Sequence, residues 1–341
     1  MNILKGVSLK LHSTMRLGGT ADFLVYAKSK DDVTTAEDWA EARQLPVRMI
    51  GDGSNIIWRD EGFRGLIIVN QIKGLDKISE DEKSAVYQIG AGENLDKIIH
   101  KLTELNLSGI EYLSLIPGTV GATPVQNVGA YGQDISQVLV SLEAYDRMEK
   151  EFVTITNKDC AFGYRSSRFK QTDNGRFLIT SITIKLSKSV PTPPFYEALQ
   201  TYLEKKEIKN PSIKQIRRAV IDIRSQKLPD PSKIANNGSF FANPIVNRQT
   251  HSRLVREYTD LKAWKVENGY KISAAWLIEK SGFKQKLDPE TGMTTWKNQP
   301  LVLVNKKAKH TQDLINYQEK IVDKIFEQFG ISLEREPEIL P

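Results

Sequence analysis

The stretch LIPGTVGATPVQNVGAYG, residues 115–132, is the part of the sequence that decides the predicted fold. It contains four glycines and two prolines but no charged residue, in a chain of which 26% of the residues are charged. Glycine and proline at this density exclude a core helix, and a solvated linker would carry Ser, Lys or Glu. We therefore interpret this glycine-rich segment as main chain that lies close against a large uncharged group or against phosphate.

The polar side chains of the glycine-rich segment favour the uncharged group. A flat heteroaromatic ring needs close walls and hydrogen-bond donors that carry no charge. The segment supplies such donors from Thr119, Thr123, Gln126, Asn127 and Tyr131. A purely structural loop is the alternative that the residues leave open.

Length and composition indicate an ordinary globular protein. The 341 residues suffice for two or three domains, and 40% of them are hydrophobic. The net charge is +6, but basic and acidic residues mostly alternate along the chain, and Glu204 and Glu207 interrupt the densest basic stretch, 203–220. A solvated helix face is therefore favoured over nucleic-acid binding, and a mildly basic surface would suit an anionic substrate.

The cysteine, the histidines and the apolar runs of the sequence indicate where the protein resides and whether it binds a metal. Cys160 is the one cysteine, and the four histidines show no ligand spacing, so we expect neither an internal disulfide nor a metal site. No run approaches the roughly 18 apolar residues of a membrane span, and the N-terminus lacks a signal-peptide core. We expect a soluble, cytoplasmic protein.

Hydrophobic periodicity predicts a mixed α+β chain in three parts. Residues 20–72 alternate strand, helix and strands, and residues 73–190 are mostly strands with one clear helix at 93–106. A proline-rich break at 187–194 follows. Beyond it we predict helices at 196–207, 212–226, 273–282 and 311–330 and a strand at 301–305.

A second glycine motif, GDGSN at 51–55, follows a short predicted strand, as a phosphate-binding loop should. It is not the dinucleotide fingerprint, because Ile56 stands where the third glycine is required. A plain tight turn fits GDGSN equally well.

Three further motifs carry polar groups suited to catalysis. In FGYRSSRFK, 162–170, Arg165 could form a forked contact with a carboxylate, although a surface arginine is the simpler interpretation. In NNGSFFANP, 236–244, Ser239 lacks the setting of a hydrolase nucleophile but could protonate a carbanion. The tail LEREPE, 333–338, is typical of a frayed end, or else supplies one carboxylate to a site.

Together these motifs resemble the UDP-N-acetylenolpyruvoylglucosamine reductase family, flavoenzymes that make UDP-N-acetylmuramate for peptidoglycan. The resemblance spans nearly the whole chain, in the order STMRLGG (13–19), GDGSN, the glycine-rich segment, FGYRSSRFK, KLPDP (227–231), NGSFFANP and LEREPE. It implies an α+β, FAD-binding fold of the vanillyl-alcohol oxidase (PCMH) type, with two lobes and an α+β substrate domain.

The resemblance also implies domain boundaries. The first lobe would be residues 1–72, to which the tail 336–341 returns, and the second would be 73–228, including a tyrosine loop and helices at 187–228. Residues 229–335 would form the substrate domain.

Residue roles follow from the matched motifs. The resemblance makes Ser239 the proton donor, Arg165 the ligand of the enolpyruvyl carboxylate and Glu336, in its protonated form, a stabiliser of negative charge; Glu338 is the alternative to Glu336. The expected FAD contacts are Arg16, Gly51, Asp52, Gly53, Ser54, Asn55, Pro117, Gly118, Thr119, Gly121, Ala122, Gln126, Asn127, Gly129, Ala130 and Tyr131. The expected substrate contacts are Tyr164, Tyr196, Lys227, Asn243 and Gln299.

The implied chemistry uses two nucleotides in turn. NADPH would give a hydride to a noncovalently bound FAD, whose loops carry no His or Cys, and the UDP-sugar nucleotide would then occupy the same cleft and be reduced. We expect a monomer without nucleic-acid or membrane partners. The alternatives are another FAD-dependent oxidase or dehydrogenase on this fold, a flavin- or nucleotide-binding protein without catalysis, and a basic nucleic-acid binder.

Overall fold

A computed structural model describes residues 1–341 as two compact units. The first unit comprises Met1–Val7, Ala21–Asp52 and Arg64–Gln226. The second comprises Ser8–Thr20, Gly53–Phe63 and Lys227–Pro341, so two stretches from the N-terminal part of the sequence fold with the C-terminal part. The predicted boundaries at residues 72 and 228 stay a prediction.

Both units mix helices with strands. The helices are α1 (Lys30–Glu41), α2 (Leu95–Glu104), α3 (Glu197–Lys205), α4 (Ile213–Lys227), α5 (Arg248–Glu257), α6 (Ala274–Lys280) and α7 (Thr311–Phe329). The strands are β1 (Leu4–Ser8), β2 (Thr20–Ala27), β3 (Val47–Ile50), β4 (Ile56–Trp58), β5 (Phe63–Asn70), β6 (Leu75–Glu80), β7 (Ser84–Gly90), β8 (Gly129–Ala130), β9 (Gln133–Asp134), β10 (Leu139–Asp146), β11 (Glu151–Thr156), β12 (Phe177–Ser187), β13 (Ile245–Val246), β14 (Ala263–Val266), β15 (Gly269–Ile272), β16 (Met293–Trp296), β17 (Gln299–Asn305) and β18 (Glu338–Leu340).

A four-stranded sheet in the order β1-β2-β5-β3 begins the first unit, and β3 and β5 run parallel. Helix α1 packs on this sheet through Val33, Ala36 and Ala40, which are fully buried. The helix begins where the sequence predicts a cap: the Ser29 hydroxyl accepts from the Asp32 N–H at 3.1 Å, and the Asp32 carboxylate accepts from the Ser29 N–H. This capping box satisfies main-chain donors that the first turn leaves unpaired.

The larger sheet of the first unit has the order β11-β10-β12-β7-β6, and all its neighbouring strands are antiparallel. Helix α2 buries Ile98, Ile99 and Leu102 in the same core as this sheet. The glycine-rich segment lies in the chain between α2 and β10.

Helices α3 and α4 form a small apolar cluster of their own through Leu199, Leu203, Ile216 and Ala219. An ion pair joins α4 to α2, because Arg217 donates to both carboxylate oxygens of Asp96, at 2.6 and 3.2 Å. The forked geometry is that of strong arginine–carboxylate pairs. It holds α4 beside the start of α2.

The second unit contains the three-stranded sheet β13-β15-β14, the hairpin β16-β17 and helices α5, α6 and α7. One face of α7 fills its core with Leu314, Tyr317, Ile321, Ile325 and Phe329, all at most 1% exposed. Helix α7 ends as predicted at Gly330, whose φ of +67° is left-handed.

The C-terminal tail is a strand and not the frayed end that its charges favoured. Strand β18 pairs in parallel with β4, with Glu338 opposite Ile56 and Leu340 opposite Trp58. Leu340 is only 2% exposed, so apolar burial outweighs the solvation of the three glutamates that precede it. The pairing fixes the tail beside residues 56–58.

The structure also holds elements that periodicity missed. Helix α5 has a single buried residue, Leu254, so it has no readable apolar pattern, whereas β13 lies where the segment 237–246 predicts a turn that leads into a strand. None of the seven helices combines the length and the apolar character that crossing a bilayer requires.

Candidate functional site

Main-chain hydrogen bonds hold the glycine-rich segment against the start of α2 and the end of β7. Val120 N–H donates to Glu93 O and Gly121 N–H donates to Ala91 O, both at 2.8 Å. A side chain at Gly121 would overlap Ala91. Left-handed backbone at Leu115, Asn127 and Tyr131 turns the rest of the segment sharply.

Polar groups of the glycine-rich segment form hydrogen bonds within the first unit. Asn127, 4% exposed, donates from Nδ2 to Gly163 O at 3.2 Å, and its Oδ1 accepts from Ser136 N–H. The Ser167 hydroxyl donates to Val125 O at 2.6 Å. The structure therefore packs the glycine-rich segment directly against the motif at 162–170.

Arg165 lies at this junction. It donates to Gly129 O at 2.7 Å, lies 3.8 Å from the Asp134 carboxylate, and is centred 5.4 Å from the ring of Tyr164. Its side chain is 24% exposed, so Arg165 is not the surface arginine that the simpler interpretation described. A guanidinium held in this way presents its charge at the glycine-rich segment.

Two exposed tyrosines stand beside the segment. Tyr196, which precedes α3, packs edge to face on Tyr131, with ring centroids 5.8 Å apart. Tyr196 and Tyr164 are each about half exposed. Both rings are thus accessible to a ligand, while Tyr131 anchors Tyr196 to the glycine-rich segment.

The GDGSN motif is shared between the units. In the first unit Gly51 contacts Thr119 so closely that a side chain at Gly51 would overlap the Thr119 hydroxyl. In the second unit Thr14 N–H donates to Gly53 O at 3.1 Å, and the Thr14 hydroxyl donates to Ser54 O at 3.4 Å. The segment 13–19 therefore supports the second half of GDGSN.

Arg16 holds the loop that follows α4. Its guanidinium donates to the carbonyls of Pro231 and Ser232, at 3.0 and 2.6 Å. Arg16 thus ties the segment 13–19 to the residues of the KLPDP motif within the second unit.

Ser239 lies on a turn that its neighbours fix. Gly238 is left-handed, with φ +71°, and its N–H donates to Asn236 Oδ1 at 2.8 Å. Phe240, which follows, is fully buried and donates its N–H to Leu301 O at 2.9 Å. The hydroxyl is thereby presented from a short stretch whose main chain is held on both sides.

The tail segment runs beside this stretch. Glu336 N–H donates to Phe240 O, and Ala242 N–H donates to Glu334 O, each at 2.9 Å. Glu336 thus lies opposite the residue that follows Ser239. Glu338 lies further along the tail, where its N–H donates to Asn55 O at 3.0 Å.

Three expected substrate contacts lie elsewhere in the second unit. Asn243 Oδ1 accepts from Ala274 N–H at 2.9 Å at the start of α6. Lys227 is the exposed last residue of α4, and Gln299 is the first residue of β17.

Sequence reasoning missed two asparagines and an arginine. Asn236 forms the turn described above, and Asn237 Nδ2 donates to Thr14 Oγ1, Ser54 O and Ile56 O at 3.1–3.3 Å. These bonds tie the serine turn to residues 14 and 54–56. The repeated asparagine directly before Gly238 was the available signal. The arginine is Arg224, on α4.

The predicted site residues fall into two groups, one in each unit. The first unit holds Gly51, Asp52, Pro117, Gly118, Thr119, Gly121, Ala122, Gln126, Asn127, Gly129, Ala130, Tyr131, Tyr164, Arg165 and Tyr196. The second unit holds Arg16, Gly53, Ser54, Asn55, Lys227, Ser239, Asn243, Gln299 and Glu336.

The glycine positions fit a large flat cofactor such as FAD. At Gly51, Gly53 and Gly121 a side chain would overlap neighbouring atoms, so at these positions the loops must present bare main chain. Such main chain can lie close to a ring or a diphosphate. The structure holds no group of three or more His, Cys, Asp or Glu side chains that could bind a metal ion.

Gly53→Ala is expected to lower the free energy of unfolding by about 2–4 kcal/mol. The residue has φ +70°, and an added Cβ would overlap the carbonyl of His12. Gly6→Ala is the matched control, since Gly6 has φ +62° but nothing within 4 Å of an added Cβ, and should cost about 1 kcal/mol. Urea unfolding of both variants measures the difference, and equal losses would show that the close approach at His12 contributes nothing.

Comparisons with known proteins bear on both units. A family profile described as an FAD binding domain matches residues 21–154. A second profile, described as the C-terminal domain of UDP-N-acetylenolpyruvoylglucosamine reductase, matches residues 230–340.

Full-length relatives carry the same description. The chain is 37% identical over 334 residues to the UDP-N-acetylenolpyruvoylglucosamine reductase of Ralstonia nicotianae, covering 96% of each protein. It is 35% identical over 342 residues to that of Flavobacterium johnsoniae, covering 100% of each. The solved structure of the reductase from Thermus caldophilus matches over 100% of both chains, with a TM-score of 0.68 at 22% identity. With the FAD profile, this structural match confirms the predicted α+β, FAD-binding fold.

Proposed function

The chain belongs to the UDP-N-acetylenolpyruvoylglucosamine reductase family, and on that premise we propose that it uses NADPH to reduce the enolpyruvyl group of UDP-N-acetylglucosamine enolpyruvate. The membership makes it a flavin-dependent oxidoreductase of peptidoglycan precursor synthesis with FAD as its cofactor. The choice of NADPH and the roles of individual residues are the proposed part.

FAD, when bound, would supply the redox chemistry, which is the transfer of a hydride from NADPH to the methylene carbon of the enolpyruvyl group. The residues that would hold it without a covalent bond are those of GDGSN and of the glycine-rich segment. Their close main chain suits the ring and the diphosphate, and Thr119 and Asn127 line the segment without charge.

The pairing of residues 240–242 with 334–336 is the observation that carries the proposal. It sets Glu336 beside Phe240, one residue from Ser239, through main-chain bonds of 2.9 Å. A proton donor and a carboxyl group from distant parts of the sequence are thereby held together. The same geometry favours Glu336 over Glu338, since Glu338 belongs to the β18–β4 pair.

Ser239 acts on the carbon next to the one that receives the hydride. Addition of hydride to the vinyl ether leaves negative charge on the adjacent carbon, and the charge spreads into the substrate carboxylate. The Ser239 hydroxyl gives its proton to that carbon, and protonated Glu336 donates a hydrogen bond to the enolate.

Arg165 binds the substrate carboxylate. Its guanidinium is held by Gly129 O and lies near Asp134, so it need not reorganise when charge develops. A cation that is already oriented stabilises the enolate more than a mobile surface arginine would.

The remaining contacts are proposed for the nucleotide part of the substrate. Tyr164 and Tyr196 offer exposed rings, and Lys227 offers an exposed charge for a diphosphate. Asn243 and Gln299 supply amide groups from the second unit. NADPH and the sugar nucleotide bind in turn at one site.

Steady-state turnover tests this proposal. Purified protein should be yellow, and its consumption of NADPH should depend on the enolpyruvyl nucleotide and form UDP-N-acetylmuramate, identified by mass. NADPH consumption that requires only oxygen would instead indicate an oxidase on the same fold, and a colourless protein would contradict a flavin site.

A further inference from the structure

Arg224 lies on α4, three residues before the end of the helix, and the proposed chemistry does not use it. The residue is partly buried, and its Nε is closed off from solvent without a hydrogen-bond partner in the chain. A buried guanidinium N–H that donates to nothing is costly, so its position calls for an acceptor.

The surroundings of Arg224 are those of the glycine-rich segment. Burial lowers the pKa of Arg224, and a hydrogen bond with the Tyr131 hydroxyl opposes that shift. Tyr131 in turn packs on Tyr196. Arg224 is therefore linked through one ring to the exposed tyrosine that precedes α3.

The charge around Arg224 is not balanced within this part of the chain. The one carboxylate that attracts Arg224 electrostatically is that of Asp96. It already accepts hydrogen bonds from Arg217 at 2.6 and 3.2 Å and from Leu115 N–H at 2.7 Å. The glycine-rich segment supplies no carboxylate of its own. Two guanidinium groups thus share one carboxylate at a site of low solvent access, which favours an additional anion.

We propose that Arg224 binds the diphosphate of a bound nucleotide. A planar guanidinium matches the oxygens of a phosphate in a forked contact, and a diphosphate supplies the negative charge that is missing. Both FAD and the UDP-sugar carry this group. The inference rests on the proposed function, because that function brings both nucleotides to the protein.

Two binding measurements decide which nucleotide is held. FAD is titrated into protein stripped of flavin and followed by quenching of flavin fluorescence, and UDP is titrated by calorimetry, which needs no flavin. The variants are Arg224→Met, which removes the charge, and Arg224→Lys, which keeps it. The control is Arg218→Met on the same helix, where the side chain is 76% exposed and pairs with Asp222.

Arg224→Met is expected to weaken one of the two affinities roughly tenfold to a hundredfold. Loss of FAD affinity assigns the FAD diphosphate, and loss of UDP affinity assigns the substrate diphosphate. Arg224→Lys should recover part of the loss, and Arg218→Met should bind both like the wild type.

One result would overturn the inference, namely affinities of Arg224→Met for both FAD and UDP that match those of Arg218→Met. Failure of the wild type to bind FAD or UDP would contradict the proposed function instead, so the two failures are distinguishable.

Discussion

Ser239→Ala is expected to leave the reduction of bound flavin by NADPH unchanged and to slow reoxidation by the enolpyruvyl nucleotide roughly 10²–10⁴-fold. The hydroxyl is proposed to act only in the second half-reaction, where the carbanion must be protonated. Stopped-flow absorbance of the flavin resolves the two halves, because NADPH bleaches it and the sugar nucleotide restores it.

The control for this variant is Ser332→Ala, which alters an exposed serine between α7 and the tail strand and should change neither half-reaction. The turn around Ser239 should survive the substitution, since Asn236 and Leu301 hold it through main-chain groups. Equal slowing of both half-reactions would refute the role of Ser239 as proton donor.

Arg165→Met should reduce kcat roughly 10²–10³-fold, the loss expected when one preorganised charged donor is removed from a developing anion. The defect should be confined to substrates with a free carboxylate. The wild type should prefer the enolpyruvyl acid to its methyl ester, and the variant should lose most of that preference. The ratio of kcat/KM for the acid and the ester measures this.

Arg165 also holds Gly129 O, so flavin content must be measured alongside activity. Arg165→Lys should recover part of the preference, because it keeps the charge but not the fork. Arg64→Met serves as the control, since the Arg64 side chain is 74% exposed and pairs only with Asp22 among the ion pairs of the chain. An Arg165→Met enzyme that still prefers the acid would show that another group binds the carboxylate.

The sequence predicted those parts of the fold that have a strong local pattern. Helix α7 shows an amphipathic repeat and a terminal glycine, and α1 begins at a capping box, so both were found. Helix α5 and the strands β14 and β15 are held by tertiary contacts and lack such a pattern. The charges of the tail favoured a frayed end because its glutamates are visible in the sequence while its pairing with β4 is not.

The candidate site followed a similar rule. Glycine-rich turns are recognisable from their composition, so residues 51–55 and 115–132 were identified as candidate binding loops. The family resemblance supplied Ser239, Arg165 and Glu336. Arg224 and Asn237 are single polar residues. Their proposed roles follow from burial and from the hydrogen bonds that their side chains make or lack. Such properties exist only in the folded chain.

Anaerobic single turnover tests the central claim most directly. Enzyme reduced with one equivalent of NADPH is mixed, without oxygen, with UDP-N-acetylglucosamine enolpyruvate or with UDP-N-acetylglucosamine, which lacks the enolpyruvyl group. The account predicts that only the enolpyruvyl nucleotide restores the oxidised flavin spectrum, with one equivalent of UDP-N-acetylmuramate formed. A flavin that stays reduced with both nucleotides until oxygen is admitted would contradict it.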